Sequence, residues 1–271
     1  MTPSDQLLYS TLKLTTYIQN NTATFGTGFL MAFPADDSAI IPAIITNKHV
    51  VDGVDEIKFR MSEMKNEMPS DQLLNFSVPL NGNVVHHPDK SVDLCAILIG
   101  PNLNDFSTTG RNPFYRFLSL ELIPEEEDWD HFDSIEDIIM IGCPNGICDE
   151  VNNTPISRRG ITATPPHRKY NGTNEFLIDM ACFPGSSGSP IFLYNEHGYF
   201  DRRKNARIMG ETRVKLLGIL YQGPTITNHG NIIIGQEPRV ETPSMMHLGH
   251  AIRSSELYAI NDLLSNLPNG A

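Results

Sequence analysis

Gly185-Ser186-Ser187-Gly188-Ser189-Pro190 lies between two apolar runs, Phe176-Leu177-Ile178 and Ile191-Phe192-Leu193. Both runs read as strands, short and rich in β-branched and aromatic side chains. A glycine-rich turn between strands can present one hydroxyl and aim successive backbone N–H groups at one point. Acyl transfer needs that combination: an exposed nucleophile and donors for the developing oxyanion. Taken alone, such a turn is a loop like many others. Its meaning depends on two upstream segments, Thr46-Asn47-Lys48-His49-Val50-Val51 and Val92-Asp93-Leu94-Cys95-Ala96-Ile97-Leu98. A hydroxyl is a poor nucleophile without a base in hydrogen-bond reach, and a neutral imidazole, with an ordinary pKa of about 6.5, suits that task. His49 is therefore the candidate base, Asp93 the acceptor for its other ring nitrogen, and Ser187 the candidate nucleophile. Singly, each has a plain structural reading: a histidine ending a strand, a turn residue opening one, a hydroxyl in a glycine turn.

The order His, Asp, Ser resembles the chymotrypsin arrangement of a catalytic triad. From about residue 25 to about residue 260 the chain resembles the trypsin/chymotrypsin superfamily of serine peptidases, and within it the HtrA-like bacterial branch. Gly26-Thr27-Gly28-Phe29-Leu30 is similar to that branch's strand before the histidine. Thr46–Val51 matches its histidine motif, and Asp93-Leu94-Cys95-Ala96 its aspartate strand. Ile141-Gly142-Cys143-Pro144-Asn145-Gly146 and Pro184–Pro190 match its loops around the nucleophile. The resemblance implies an all-β fold of two packed six-stranded Greek-key barrels with a C-terminal α-helix. Residues 1–118 would carry His49 and Asp93, and residues 119–271 would carry Ser187. It implies a serine endopeptidase that cuts protein or peptide substrates through an acyl-enzyme, with no cofactor or metal.

The oxyanion hole would come from the N–H groups of Gly185 and Ser187, next to Pro184, which has none. Gly185 and Gly188 suit a turn of unusual φ. In zymogen-activated relatives an Asp before the nucleophile pairs with a freshly cut N-terminus. Ser186 stands there, so activation by N-terminal cleavage is not expected. Ser189 replaces a usual glycine, a small change. No PDZ-sized region follows the helix, unlike in many HtrA-like proteins. Two further readings stay open: a catalytically silent, protease-like scaffold, and a peptidase switched on when an activating protein partner or peptide orders its loops.

By position in the family, Ala181 would form the base of the substrate pocket and Leu220, Tyr221, Gln222 and Gly223 its wall. No Asp stands at the base to attract Arg or Lys. The histidine of glutamate- and glutamine-selective relatives is replaced by Leu220. Small or medium apolar P1 side chains are expected. His250 either intrudes on this pocket or is structural.

Composition sets the bounds. The 271 residues suit one large or two small domains, and 40% hydrophobic content with a mean hydropathy of −0.22 fits a globular core. A net charge of −12 disfavours nucleic acid and anionic membranes as partners. No apolar run approaches the roughly 20 residues that span a bilayer. Met1–Gln6 lacks the basic and apolar regions of a secretory signal, so a cytoplasmic setting is expected. Cys95, Cys143, Cys148 and Cys182 are then expected as reduced thiols. The spacing of Cys143 and Cys148 leaves a local disulfide or a zinc pair as alternatives. The adjacent His86 and His87 would point to opposite faces of an extended segment, and so not share an ion. Glu125–Asp130, with Trp129, reads as a solvated acidic loop or a cation site. Arg202-Arg203-Lys204 near Arg207 reads as a solvated hairpin tip or a recognition surface.

A short helix is expected at 7–9 and a strand at 12–18. Short β-rich runs at 28–33, 40–46, 56–61, 73–78 and 94–99 predict a first barrel. Runs at 137–141, 151–163, 175–180, 191–193, 214–221 and 231–234 predict a second, beyond a junction at 102–124. Leu257, Ile260, Leu263, Leu264 and Leu267 predict a helix over 254–267, capped by Ser254 or Ser255.

Overall fold

Apolar alternation builds the first half of the molecule. Along Glu56–Lys65 the buried positions include Ile57, Phe59 and Met61; along Met68–Pro79 they are Leu74, Phe76 and Val78. The antiparallel register pairs Ile57 with Val78, Phe59 with Phe76 and Met61 with Leu74. One face of the hairpin is thereby apolar, and the Phe59 and Phe76 rings stack at 4.9 Å. Each such side chain removed from water contributes about 1.5–3 kcal/mol.

The computed structural model describes residues 1–18, 22–36, 39–231 and 239–266. After helix α1 (Pro3–Leu8) come strands β1 (Thr11–Ile18), β2 (Thr22–Asp36) and β3 (Ala39–Thr46), then the short helix α2 (Lys48–Val51). The hairpin above is β4 and β5. Strands β6 (Val84–His86) and β7 (Cys95–Leu98), helix α3 (Gly100–Thr108) and β8 (Pro113–Phe114) complete this half. Its eight-stranded sheet runs β5-β4-β1-β2-β3-β7-β6, with β8 on β4. The end strands β5 and β6 are not paired to each other among the described residues.

Helix α4 (Glu126–Trp129) precedes the second half. There follow β9 (Asp137–Gly142), β10 (Ile156–Thr162), β11 (Glu175–Asp179), β12 (Pro190–Asn195), β13 (Gly198–Asp201) and β14 (Ala206–Met209). Next come β15 (Arg213–Gln222), β16 (Thr225–Asn231), β17 (Arg239–Met245), β18 (Leu248–Arg253) and helix α5 (Leu257–Ser265). Six of these strands close a barrel in the order β10-β11-β18-β15-β12-β9, as the expected fold requires. The pairs β13–β14 and β16–β17 form separate hairpins.

Apolar residues from both halves meet in one core: Phe29, Met31 and Phe33 of β2, Phe192 of β12 and Ile219 of β15. Leu257, Ile260 and Leu264 of α5 join it, so the C-terminal helix packs against the first half, on β2 and β6. Leu267 lies outside the described residues, as do 232–234 of the last expected strand. Neither Ser254 nor Ser255 caps α5. Ser254–Glu256 form a 3₁₀ turn, and buried Ser254 instead donates its hydroxyl to Leu216 O at 2.5 Å.

Two other expectations shift. The run at 151–163 is strand only over Ile156–Thr162, because Asp149 Oδ1 accepts from the N–H groups of Val151 and Asn152 and bends the chain into a turn. The junction contains α3, started by Pro101 in its first turn. The acidic loop and the basic hairpin tip meet each other. Asp128 accepts from Arg203 at 2.7 Å and lies 3.3 Å from Lys215, while Arg202 pairs with Asp133. Trp129 is buried, with the Arg253 guanidinium 4.9 Å from its ring centroid. Among the described residues, no helix is long and apolar enough to cross a membrane.

Candidate active site

Strand pairing brings His49 and Asp93 together. Thr46, the last residue of β3, pairs with Cys95 of β7, so the segments just beyond them converge. Asn47 begins α2 without a side-chain cap; its Nδ2 donates instead to Asp93 O at 2.7 Å. Two residues later, His49 N–H donates to Asp93 Oδ1 at 3.1 Å and its ring Nδ1 meets Oδ2 at 2.5 Å. Both carboxylate oxygens are thus engaged by one residue, which fixes the ring's orientation. His49 sits within a helical turn rather than at a strand end.

Burial pushes the Asp93 carboxyl up, but the hydrogen bond and charge of His49 and the N–H groups of His49 and Lys48 outweigh it. The net pKa lies below the ordinary carboxylate value. Lys48 Nζ steadies the loop leading to Asp93, donating to His87 O at 3.1 Å and Asp89 O at 2.9 Å. His86 is exposed and His87 buried, facing opposite ways. His87 Nε2 lies 3.0 Å from Glu256 Oε2, off the line of a hydrogen bond.

The turn around Ser187 is held by backbone bonds. Ser189 N donates to Ser186 O at 3.0 Å, Gly188 N to Leu220 O at 2.8 Å and Thr27 N to Ser187 O at 2.9 Å. Gly185 and Gly188 have φ of +82° and +86°. A Cβ on Gly188 would stand 2.0 Å from Thr27 O, so both conformation and space demand glycine. Ser189 is buried over Gly142, where a Cβ would come within 2.0 Å of its hydroxyl; Gly142 makes room for the serine. The N–H groups of Gly185 and Ser187 donate to no acceptor among the described residues.

Thr27 is a residue that sequence reasoning passed over. Its hydroxyl donates to Gly185 O at 2.9 Å and accepts from Cys143 N at 3.0 Å, joining the first half to both loops beside Ser187. A threonine between two strand glycines was the available signal.

Ser187 and His49 line one cleft, with Thr24, Phe25, Pro184 and Gly185. The Ser187 hydroxyl donates to Tyr221 O at 3.4 Å and makes no bond to His49. A second pocket of about 200 Å³ opens at Ser187, lined by Cys182, Phe183, Leu220, Tyr221, Gln222 and Gly223. Ala181 is outside that lining, its carbonyl oxygen accepting from Arg158 at 2.6 Å. His250 belongs to a polar cluster beside the wall. Its Nδ1 is 3.6 Å from Glu175 Oε2, to which Tyr221 donates its phenol proton at 2.8 Å. Burial, reinforced by Glu175, raises the Tyr221 pKa.

Burial also pushes the thiols of Cys95 and Cys143 up to about 12 and that of Cys182 up to about 11. Cys148 is partly exposed and hydrogen-bonds Glu150. Brief alkylation of the native protein at neutral pH is therefore expected to modify Cys148 first, and denaturation to release all four thiols. Peptide mass spectrometry would report this. Equal early modification of Cys182, or a protected Cys143–Cys148 pair, would contradict it.

Residues 26–199 match the trypsin-like peptidase domain family, a span that includes His49, Asp93 and Ser187. The active form of the Rv3671c protease from M. tuberculosis superposes with a TM-score of 0.51 at 13% identity, over 99% of this chain and 86% of that one. The thermostable serine protease AL20 from an extremophilic microorganism also gives 0.51, at 14% identity, over 98% of this chain and 100% of that one. No curated protein matches the chain in sequence.

Proposed function

The chain belongs to the trypsin-like peptidase domain family and is a serine peptidase; from that premise we propose that Ser187, His49 and Asp93 form its catalytic triad. The observation that carries the reading is the double contact of Asp93 with His49, in a cleft that also holds Ser187. Asp93 holds Nδ1 protonated, which leaves Nε2 free to take the Ser187 proton as the hydroxyl attacks the scissile carbonyl. The proton then passes to the leaving amine, and water repeats the sequence on the acyl-enzyme. The free N–H groups of Gly185 and Ser187 would receive the oxyanion, each such donor being worth about 10²–10³ in rate. No step calls on a cofactor or metal. Residues 1–118 would then supply the base and residues 119–271 the nucleophile. The HtrA-like motifs favour a bacterial protein, and the reading places it in the cytoplasm, where its four cysteines would stay reduced.

In its resting form Ser187 donates to Tyr221 O, so a rotation of its side chain must precede attack. Catalytic hydrogen bonds often form only with substrate in place. The same observation favours a second reading, in which an activating protein partner or peptide promotes that rotation.

Among the described residues, the pocket lined by Cys182, Leu220 and Tyr221 carries no charged side chain. Burying an unpaired substrate charge there is costly. Cleavage of a proteome-derived peptide library is expected after small or medium apolar residues. The preference should be graded, since one methylene changes binding by only about 1–3 kcal/mol. Dominant cleavage after Arg, Lys or Glu would refute this pocket assignment. Hydrolysis of that library, lost in Ser187→Ala, tests the proposed function itself.

A further inference from the structure

Arg158, on β10, reaches the nucleophile loop from behind. Its Nη1 donates to Ala181 O at 2.6 Å and to Ser186 Oγ at 3.0 Å. Nη1 carries two hydrogens, one for each acceptor. The two acceptors bracket the loop: Ala181 lies where the chain enters it, and Ser186 immediately precedes Ser187. Ser186 is fully buried.

The rest of the guanidinium is poorly provided for. Nε and Nη2 are buried without an acceptor among the described residues. The ionisable groups nearest to it are the thiols of Cys182 and Cys143, which burial keeps neutral, and no carboxylate is among them. Burial lowers the pKa from arginine's ordinary value, which marks desolvation of a group that stays charged. Stability alone is a weak reason to keep such a group. An apolar side chain of similar volume often serves as well where a buried charge lacks a full set of partners. What Arg158 provides is local: it ties down two atoms of the loop that must present Ser187.

We propose that Arg158 is a positioning residue, whose guanidinium staples Ala181 O and Ser186 Oγ and so holds Ser187 and the Gly185 N–H in place for attack. The inference rests on Ser187 being the nucleophile. Misplacing a reacting group by about an ångström costs on the order of 100-fold. A residue that only supported the fold would lower the melting temperature and leave turnover unchanged well below it.

The test compares Arg158→Met, Arg158→Lys and Ser186→Ala with the wild type, by fluorophosphonate labelling rate and by steady-state kinetics on the best library peptide. In Arg158→Met, kcat and the labelling rate are expected to fall together by about 10–100-fold, with KM nearly unchanged. Arg158→Lys should retain more activity, since Nζ can also donate twice. Ser186→Ala removes one of the two acceptors with little change in volume, and should lose about 3–10-fold in kcat; it keeps the test decisive if Arg158→Met does not fold. Folded variants that label at the wild-type rate, or that change only KM, would overturn the inference while leaving the peptidase reading intact. A wild type that labels on a different serine would remove the Ser187 assignment, and the inference with it.

Discussion

Replacing Ser187 by alanine is expected to lower turnover by about 10⁶-fold, the scale seen when a serine protease loses its nucleophile. The fold should not change. The hydroxyl makes a single bond, to Tyr221 O at 3.4 Å, and the turn is held by backbone groups that alanine keeps. Ser187 O still accepts from Thr27 N, and the flanking glycines still supply the positive φ. Far-ultraviolet circular dichroism and the melting temperature should therefore match the wild type, while hydrolysis disappears. An alanine variant that still hydrolyses the peptide library would show that another serine is the nucleophile.

Asp93→Asn is expected to reduce kcat by about 10⁴-fold, through the tautomer of His49. The aspartate accepts from His49 on both oxygens, at the backbone N–H and at ring Nδ1. An asparagine can accept at only one of them. If its oxygen faces the ring, its amide N–H groups face the His49 N–H, donor against donor. If it flips, the amide donates to Nδ1, the ring proton moves to Nε2, and Nε2 can no longer take a proton from Ser187. Stability should change with pH in a definite sense. The folded-state pKa of Asp93 is lowered, so its contribution is present above the ordinary carboxylate range and is lost as pH falls through the lowered value. The stability difference between wild type and Asp93→Asn should be largest at neutral pH and shrink in acid. Denaturant titrations across that range would show it; a difference independent of pH would mean that the carboxylate charge is not what stabilises the pair.

The candidate triad was legible because each residue lies beside a strand-like run. A short apolar run is a local signal, and the order of the runs follows the chain. What the pairing of β3 with β7 adds is the third dimension that puts His49 on Asp93. The positions left unread depend on contacts distant in sequence. Arg158 looks like one of several polar residues on a strand, and nothing nearby indicates that it turns inward to Ser186. Thr27 shows its importance only through its bonds to Gly185 and Cys143. Ser254 has the composition of a helix cap, yet tertiary packing gives its hydroxyl to Leu216 O. The acidic run reads as a solvated loop or a cation site and the basic run as a solvated hairpin tip or a recognition surface, because pairing between Asp128 and Arg203 bridges segments far apart in the chain. Helix α3 escaped notice because its few apolar residues, Leu103 and Phe106, fall among polar ones.

The most direct test of the account is to label the wild-type protein with a fluorophosphonate and map the adduct by peptide mass spectrometry, with His49→Ala treated in parallel. The account predicts one adduct on the wild type, on Ser187, formed far more slowly in the His49 variant. An adduct on a different serine, or equal labelling with and without His49, would contradict it.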